Sequence, residues 1–188
     1  MNKIQKVSRC LVYCVNVLLV VVSLGVCLRW LFVDSALVKS LMHVGLLENF
    51  MRTPEGVRSL LDLHWTSGAK ALMLLAGIMR VAPLVGALCL LRCLFGSYQR
   101  GVVFSQSNAL RYGRLGQCFL LDALVAQPIS HTLNILGLTL MNEPGHRYLS
   151  LAFGTLNLEM LFCGVCIVVI SWVMREASHM EDEYQLTV

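Results

Sequence analysis

At 188 residues, 57% of them hydrophobic and 14% charged, with a mean hydropathy of +0.70 and a formal net charge of +4, the chain is too apolar for an ordinary water-soluble domain. A soluble helical protein would show a polar stripe at 3.6-residue spacing, whereas residues 11–28 are broken by Tyr13, Asn16 and Ser23 alone. The composition predicts an all-α, polytopic membrane protein.

Four apolar runs, at residues 10–33, 71–95, 116–140 and 155–174, each come close to the ~20 residues that cross ~30 Å of hydrocarbon. They predict a four-transmembrane-helix bundle built as one membrane domain over residues 1–188. Between the runs lie an extracytoplasmic, partly helical first outer loop at 34–69 and a cytoplasmic loop at 96–115, with a cytoplasmic tail at 175–188. The basic head Lys3, Lys6 and Arg9 before the first run is also what a secretory signal carries. The run is too long for one, no small-x-small triplet follows it, and Val26 spoils the lipoprotein pattern around Cys27. Arg29 and Trp30 close it as an interfacial anchor would, so it reads as a retained first helix.

In the outer loop, Val38, Leu41, Met42, Gly45 and Leu46 recur at helical spacing. Pro54 is expected to open a second short helix with Val57, Leu60, Leu61 and His64 on one face. Such helices lie against the membrane or cap a bundle. Long ordered loops also carry ligand sites, but His43 and His64 are too far apart in sequence to be claimed as a metal pair.

The second run contains Arg80, Pro83 and Arg92, the third Asp122, Pro128, His131 and Asn134, and the fourth Glu159. Ionisable groups in hydrocarbon cost several kcal/mol and face a bundle interior or water. Sorted by a rise of about 1.5 Å per residue, they form two layers: Asn16, Arg92 and Asp122 towards one side, Arg80, His131, Asn134 and Glu159 towards the other. Asp122 with Arg92 and Glu159 with Arg80 are the candidate pairs. Pro83 and Pro128 each break a backbone hydrogen bond near mid-run, with Gln127 and Ser130 placed to satisfy freed carbonyls. Kinked, polar-lined helices serve both a midplane cavity and an inert bundle that locks its register.

The loop at 96–115 begins with a turn at Gly96-Ser97 and runs through Arg100 to Ser105, which can cap a short helix at Ser107 or Asn108. Arg100, Arg111 and Arg114 then face headgroups or a partner. Arginines without a recognition motif make no direct nucleic-acid interface, and the positive-inside rule accounts for them. Placing the N-terminus inside collects Lys3, Lys6, Arg9, Arg92, Arg100, Arg111, Arg114 and Arg175 on the cytoplasmic side. Arg29, Lys39, Arg52, Arg58, Lys70 and Arg147 then lie outside, interspersed with Asp34, Glu48, Glu55, Asp62 and Glu143. The expected arrangement is multi-pass, with both termini cytoplasmic.

The eight cysteines lie in or at the ends of the runs, away from disulfide-forming space. Cys163-Gly164-Val165-Cys166 has C-x-x-C spacing, but no second pair or histidine stands nearby, so these side chains read as small helix-packing residues. No metal site, cofactor or nucleophile-base set is expected, which argues against an enzyme. After the fourth run, Glu181, Asp182 and Glu183 form an acidic patch ending in Leu186 and Val188. The patch suits docking of a basic partner and equally suits a solvated helix end.

Gly101-Val102-Val103-Phe104-Ser105 with Asn108, then Asn142 to Arg147, then Val173 to Ala177 and the terminal Gln185 to Val188 resemble the bacterial domain of unknown function 2975 family, from about Ala71 onward. Glu143 and His146 depart from the Pro-rich, Gln-bearing loop of that family. The resemblance implies a four-helix bacterial inner-membrane protein, localised to the inner membrane, with no assigned catalytic activity, of a family whose members often look like partners of small cytoplasmic helix-turn-helix regulators. A regulatory, sensory or scaffold role in signalling is the first functional expectation. A small transporter or proton-linked permease using Asp122, Glu159 and Arg80 is the alternative. The sequence leaves ligand and oligomeric state open.

Overall fold

The computed structural model describes residues 3–47, 50–53, 56–61, 63, 65–141 and 157–186. Helix α1 spans Lys3–Leu31, α2 Ala36–His43, α3 Ser67–Gln99, α4 Gln106–Leu121, α5 Gln127–Thr139 and α6 Leu158–Leu186. A π-helical turn, Asp122–Ala126, joins α4 to α5. Four stretches are long and apolar enough to cross a membrane: Gln5–Leu31, Ser67–Gln99, Gln106–Thr139 and Leu158–Met180. The all-α, four-span architecture expected from the sequence is the one observed.

Two expectations about the loops need correction. The segment around Pro54 is not a second short helix: β1 (Phe50–Thr53) and β2 (Gly56–Ser59) pair antiparallel, with Phe50 opposite Ser59 and Thr53 opposite Gly56. Gly56 takes φ +130°, which a continuing helix excludes. The loop at 96–115 shrinks to a link between Gln99 and Gln106, since Gly96 and Ser97 are helical and α4 runs on into the third span. Hydropathy marked where the lipid-compatible stretch stopped, whereas backbone signals decide where the helix stops. For α3 the stop is a Schellman motif: Gly101 at φ +81° donates to the Tyr98 carbonyl, and the Val102 N–H reaches back to Ser97. The expected Ser105 cap is present, its hydroxyl accepting the Asn108 N–H at 3.2 Å.

The chain divides into two compact units. The first comprises Met1–Ser23, Val81–Ala126 and Thr155–Val188, and in it α4 packs along α6. The approach is close because glycines face each other. A Cβ added to Gly116 would lie 2.8 Å from the Gly164 carbonyl, and one added to Gly164 would lie 3.1 Å from that of Gly116. Small residues at such contacts are how membrane helices gain dispersion contact without a hydrophobic driving force. Ser171, buried in α6, donates its hydroxyl to the Ala109 carbonyl at 3.0 Å.

The second unit, Leu24–Arg80 and Gln127–Gly154, holds a core of large side chains: Trp30, Val33, Val38, Met42, Leu60, Trp65, Met73 and Leu138, with Ala69. Trp30 and Trp65 meet edge to face at 5.6 Å, and the Arg29 guanidinium lies 4.9 Å from the Trp30 ring centre. Trp30 is therefore a core residue and not the interfacial anchor expected at the end of the first run. The loop segment folds back over it, which the run alone did not signal. Lys70 and Asp34 form an ion pair that joins the two ends of this segment.

Candidate functional site

Two places in the first unit gather the chemistry. One surrounds the link between α3 and α4. Asn108, fully buried, uses its side-chain amide to donate to the carbonyls of Val102 and Val103, both at 3.1 Å. Its side-chain oxygen accepts from Arg111 at 2.9 Å, and the same guanidinium nitrogen donates to the Ser97 hydroxyl at 2.6 Å. Ser97 in turn donates to the Cys93 carbonyl, and Arg100 approaches the Ser97 hydroxyl at 3.5 Å. The Tyr98 and Tyr112 hydroxyls are 2.7 Å apart, and Gln99 donates to the Ser8 carbonyl of α1 at 3.3 Å. Charge-assisted bonds of this kind are the stronger ones, and together they fasten the start of α4 to the end of α3.

This arrangement explains the Gly101 to Asn108 motif physically. Gly101 makes the left-handed turn, Ser105 caps α4, and Asn108 supplies donors to two link carbonyls. Arg111 is spent inside this clasp, while Arg100 and Arg114 are exposed. Sequence reading missed Ser97 and the tyrosine pair, because polar residues fourteen apart on two helices leave no local signature.

The second place is a recess of about 260 Å³, counting space open to the surroundings, lined by Pro83, Leu84, Ala87, Cys118, Phe119, Asp122 and Met160. Two helix irregularities meet in it. Pro83 deprives the Met79 carbonyl of its usual donor. Asp122 opens the π-helical turn, which ends two residues before Pro128, where the ring forbids an ordinary bond to the Leu124 carbonyl. The Thr132 hydroxyl donates to the Pro128 carbonyl at 2.9 Å. Asp122 is half-buried in otherwise apolar walls.

The remaining polar candidates fall elsewhere. Arg92 is exposed on α3. Arg80, exposed, and His131 and Asn134, half-buried and three residues apart on α5, belong to the second unit. Glu159 is exposed in the first turn of α6, two residues after Asn157, whose side chain caps the helix by accepting the Met160 N–H at 3.2 Å. A carboxylate there complements the positive helix end, a sufficient reason for its position. All eight cysteines are free thiols; Cys163 is exposed and Cys166 half-buried, so Gly164 between them makes the close helix contact. Helix α6 continues through Glu181, Asp182 and Glu183. Glu143 and His146 lie outside the described residues.

Four helices long and apolar enough to cross a membrane mark a multi-pass membrane protein. The family described as "Protein of unknown function (DUF2975)" matches residues 6–188, and the chain belongs to it. The match reaches back into α1, well before Ala71 where the sequence resemblance begins. No curated protein and no solved structure matches the chain.

Proposed function

We propose that the chain is a regulatory or scaffold protein of the bacterial inner membrane, with both termini cytoplasmic, that docks a cytoplasmic partner on the projecting end of α6. The observation that carries this reading is the unbroken course of that helix from Leu158 to Leu186, 29 residues. At about 1.5 Å per residue it is roughly 43 Å long, against ~30 Å of hydrocarbon. The final turns, bearing Glu181, Asp182 and Glu183, therefore extend past the apolar layer as helix rather than as loose tail. A negative helical surface steers and orients a positive partner, and a small helix-turn-helix regulator has the basic character it requires. Lys6, Arg9, Arg92, Arg100, Arg111, Arg114 and Arg175, all in the first unit, supply the charge bias for this orientation. Affinity capture from membranes tests the reading. Removal of residues 181–188 abolishes recovery of a cytoplasmic DNA-binding partner while the protein still purifies as a folded species. Equal recovery with and without those residues refutes it.

A second reading, a small proton-linked transporter, rests on the recess at Asp122, where Pro83 and the π-helical turn place a carboxylate among apolar walls. It predicts that Asp122→Asn abolishes proton-coupled flux in vesicles, a loss that the scaffold reading does not require.

A further inference from the structure

Helix α2 has three faces where an ordinary surface helix has two. At about 100° per residue, Val38 and Met42 share one face and are buried in the core of the second unit. Leu37, Leu41 and Val44 lie together roughly a third of a turn to one side, and Lys39, Ser40 and His43 occupy the other. Leu37 is 72% exposed and Val44 76% exposed, and Leu46, just beyond the helix, is 71% exposed. The end of α2 is fixed by a Schellman motif, in which Gly45 at φ +79° donates to Met42 and the Leu46 N–H reaches the Leu41 carbonyl. Leu46 is thus held next to the same flank and does not trail into solvent. Burial in the core accounts for Val38 and Met42 and leaves the second apolar face unexplained.

What precedes α2 supplies the occupant. Leu24, Leu28 and Leu31 are exposed on α1, a membrane-spanning helix, where lipid is their natural neighbour, and Phe32 continues the series at 55% exposure. Hydrogen bonds from Phe32 to Leu28 and from Ser35 to Phe32 leave no slack between α1 and α2, and Ser35 caps α2 by accepting the Val38 N–H. An exposed apolar flank joined this tightly to a lipid-facing helix, with Lys39 and His43 on the opposite flank, has the make-up of a helix lying in a membrane interface.

We propose that α2 is an interfacial anchor: Leu37, Leu41, Val44 and Leu46 enter the boundary between acyl chains and headgroups of the leaflet that borders the end of α1, with Lys39, Ser40 and His43 turned to water. The loop unit is then seated on the bilayer on one flank and on its own core on another. The anchor is independent of any partner bound by α6. The test places p-benzoylphenylalanine at Leu37, Val44, Ser40 or His43 of the full-length protein, in vesicles of phosphatidylethanolamine and phosphatidylglycerol. After photolysis, intact-mass analysis identifies the adducts. All four positions are exposed, so each variant retains the core. The expected result is phospholipid adducts at 37 and 44 at several-fold the yield at 40 and 43. Equal yields at the four positions, absence of lipid adducts at 37 and 44, or adducts to a second copy or another protein at those positions would overturn the anchor.

Discussion

Where α4 meets α6, contact depends on side chains that are absent: Gly116 and Gly164 let backbone approach backbone, and one serine hydroxyl bridges the seam. Around Trp30 the second unit does the reverse, filling its interior with two tryptophans, two methionines and branched side chains drawn from helix ends and a loop. The first is the packing of helices in lipid, where apolar side chains gain nothing by leaving acyl chains and only close fit and hydrogen bonds hold them together. The second resembles the core of a water-soluble domain, where burial of large side chains supplies the stability. The contrast implies that the two regions fail under different substitutions, and each prediction below is aimed at that difference.

The largest effect is expected in the second unit. Trp65→Ala removes a buried ring that meets Trp30 edge to face and leaves a cavity, a loss of about 3–5 kcal/mol for a change of this type. The loss should appear as faster hydrogen exchange across α2 and the β1–β2 hairpin. Trp65→Phe keeps most of the ring, and the indole N–H has no hydrogen-bond partner among the described residues, so it should cost much less. If Trp65→Ala instead frees α4 and α6 to exchange while sparing α2, the unit does not rest on its aromatic core.

Next in size is the glycine seam. Gly116→Leu forces a side chain towards the Gly164 carbonyl and the Val168 side chain, where even a single Cβ would come within 2.8 Å. Overpacking typically costs about 1–3 kcal/mol, and more where the obstacle is backbone. The midpoint of unfolding in a denaturing detergent titration should fall accordingly. Trp65→Ala and Gly116→Leu should be additive, since they share no partner. Strong coupling between them would show that the two packing modes are not separate.

Legibility in the sequence follows the same divide. The four spans and their apolar character were readable because lipid selects composition over a whole segment, and a window of residues averages over local detail. The Ser105 cap was readable because capping is local. The hairpin at Phe50–Ser59 was misread because strand pairing is decided by a partner and not by the segment itself. Trp30 was misplaced for a related reason: an aromatic residue at the end of a span looks the same whether it meets headgroups or a folded-back loop. In the clasp, Arg111 is a residue the sequence offers as facing headgroups or a partner. Its bonds to Ser97 and Asn108 depend on how α3 and α4 pack, which charge alone does not encode.

The clasp yields an intermediate prediction. Asn108→Leu preserves volume but strips donors from the Val102 and Val103 carbonyls and an acceptor from Arg111. Each unsatisfied buried group costs about 1–3 kcal/mol, and here water can reach part of the link, which lowers the sum. The readout is proteolysis between Gln99 and Gln106, which should become rapid while the α4–α6 seam stays protected. Protection retained at the link would mean that Ser105 and the Gly101 turn suffice without Asn108.

The smallest effect is expected at Ser171. Its hydroxyl donates to the Ala109 carbonyl at 3.0 Å inside the seam, and hydrogen bonds between membrane helices average only about 0.6 kcal/mol. Ser171→Ala should therefore barely move the detergent unfolding midpoint, because a carbonyl inside a helix keeps its backbone donor. Ser171→Val should move it far more, because the Ser171 hydroxyl already sits 3.0 Å from where a Cβ on Gly113 would be, and a branched side chain has to press on the α4 backbone there. The order of these two variants separates the bond from the fit. A larger cost for alanine than for valine would mean that the serine bridge, and not the missing side chains of α4, holds this end of the seam.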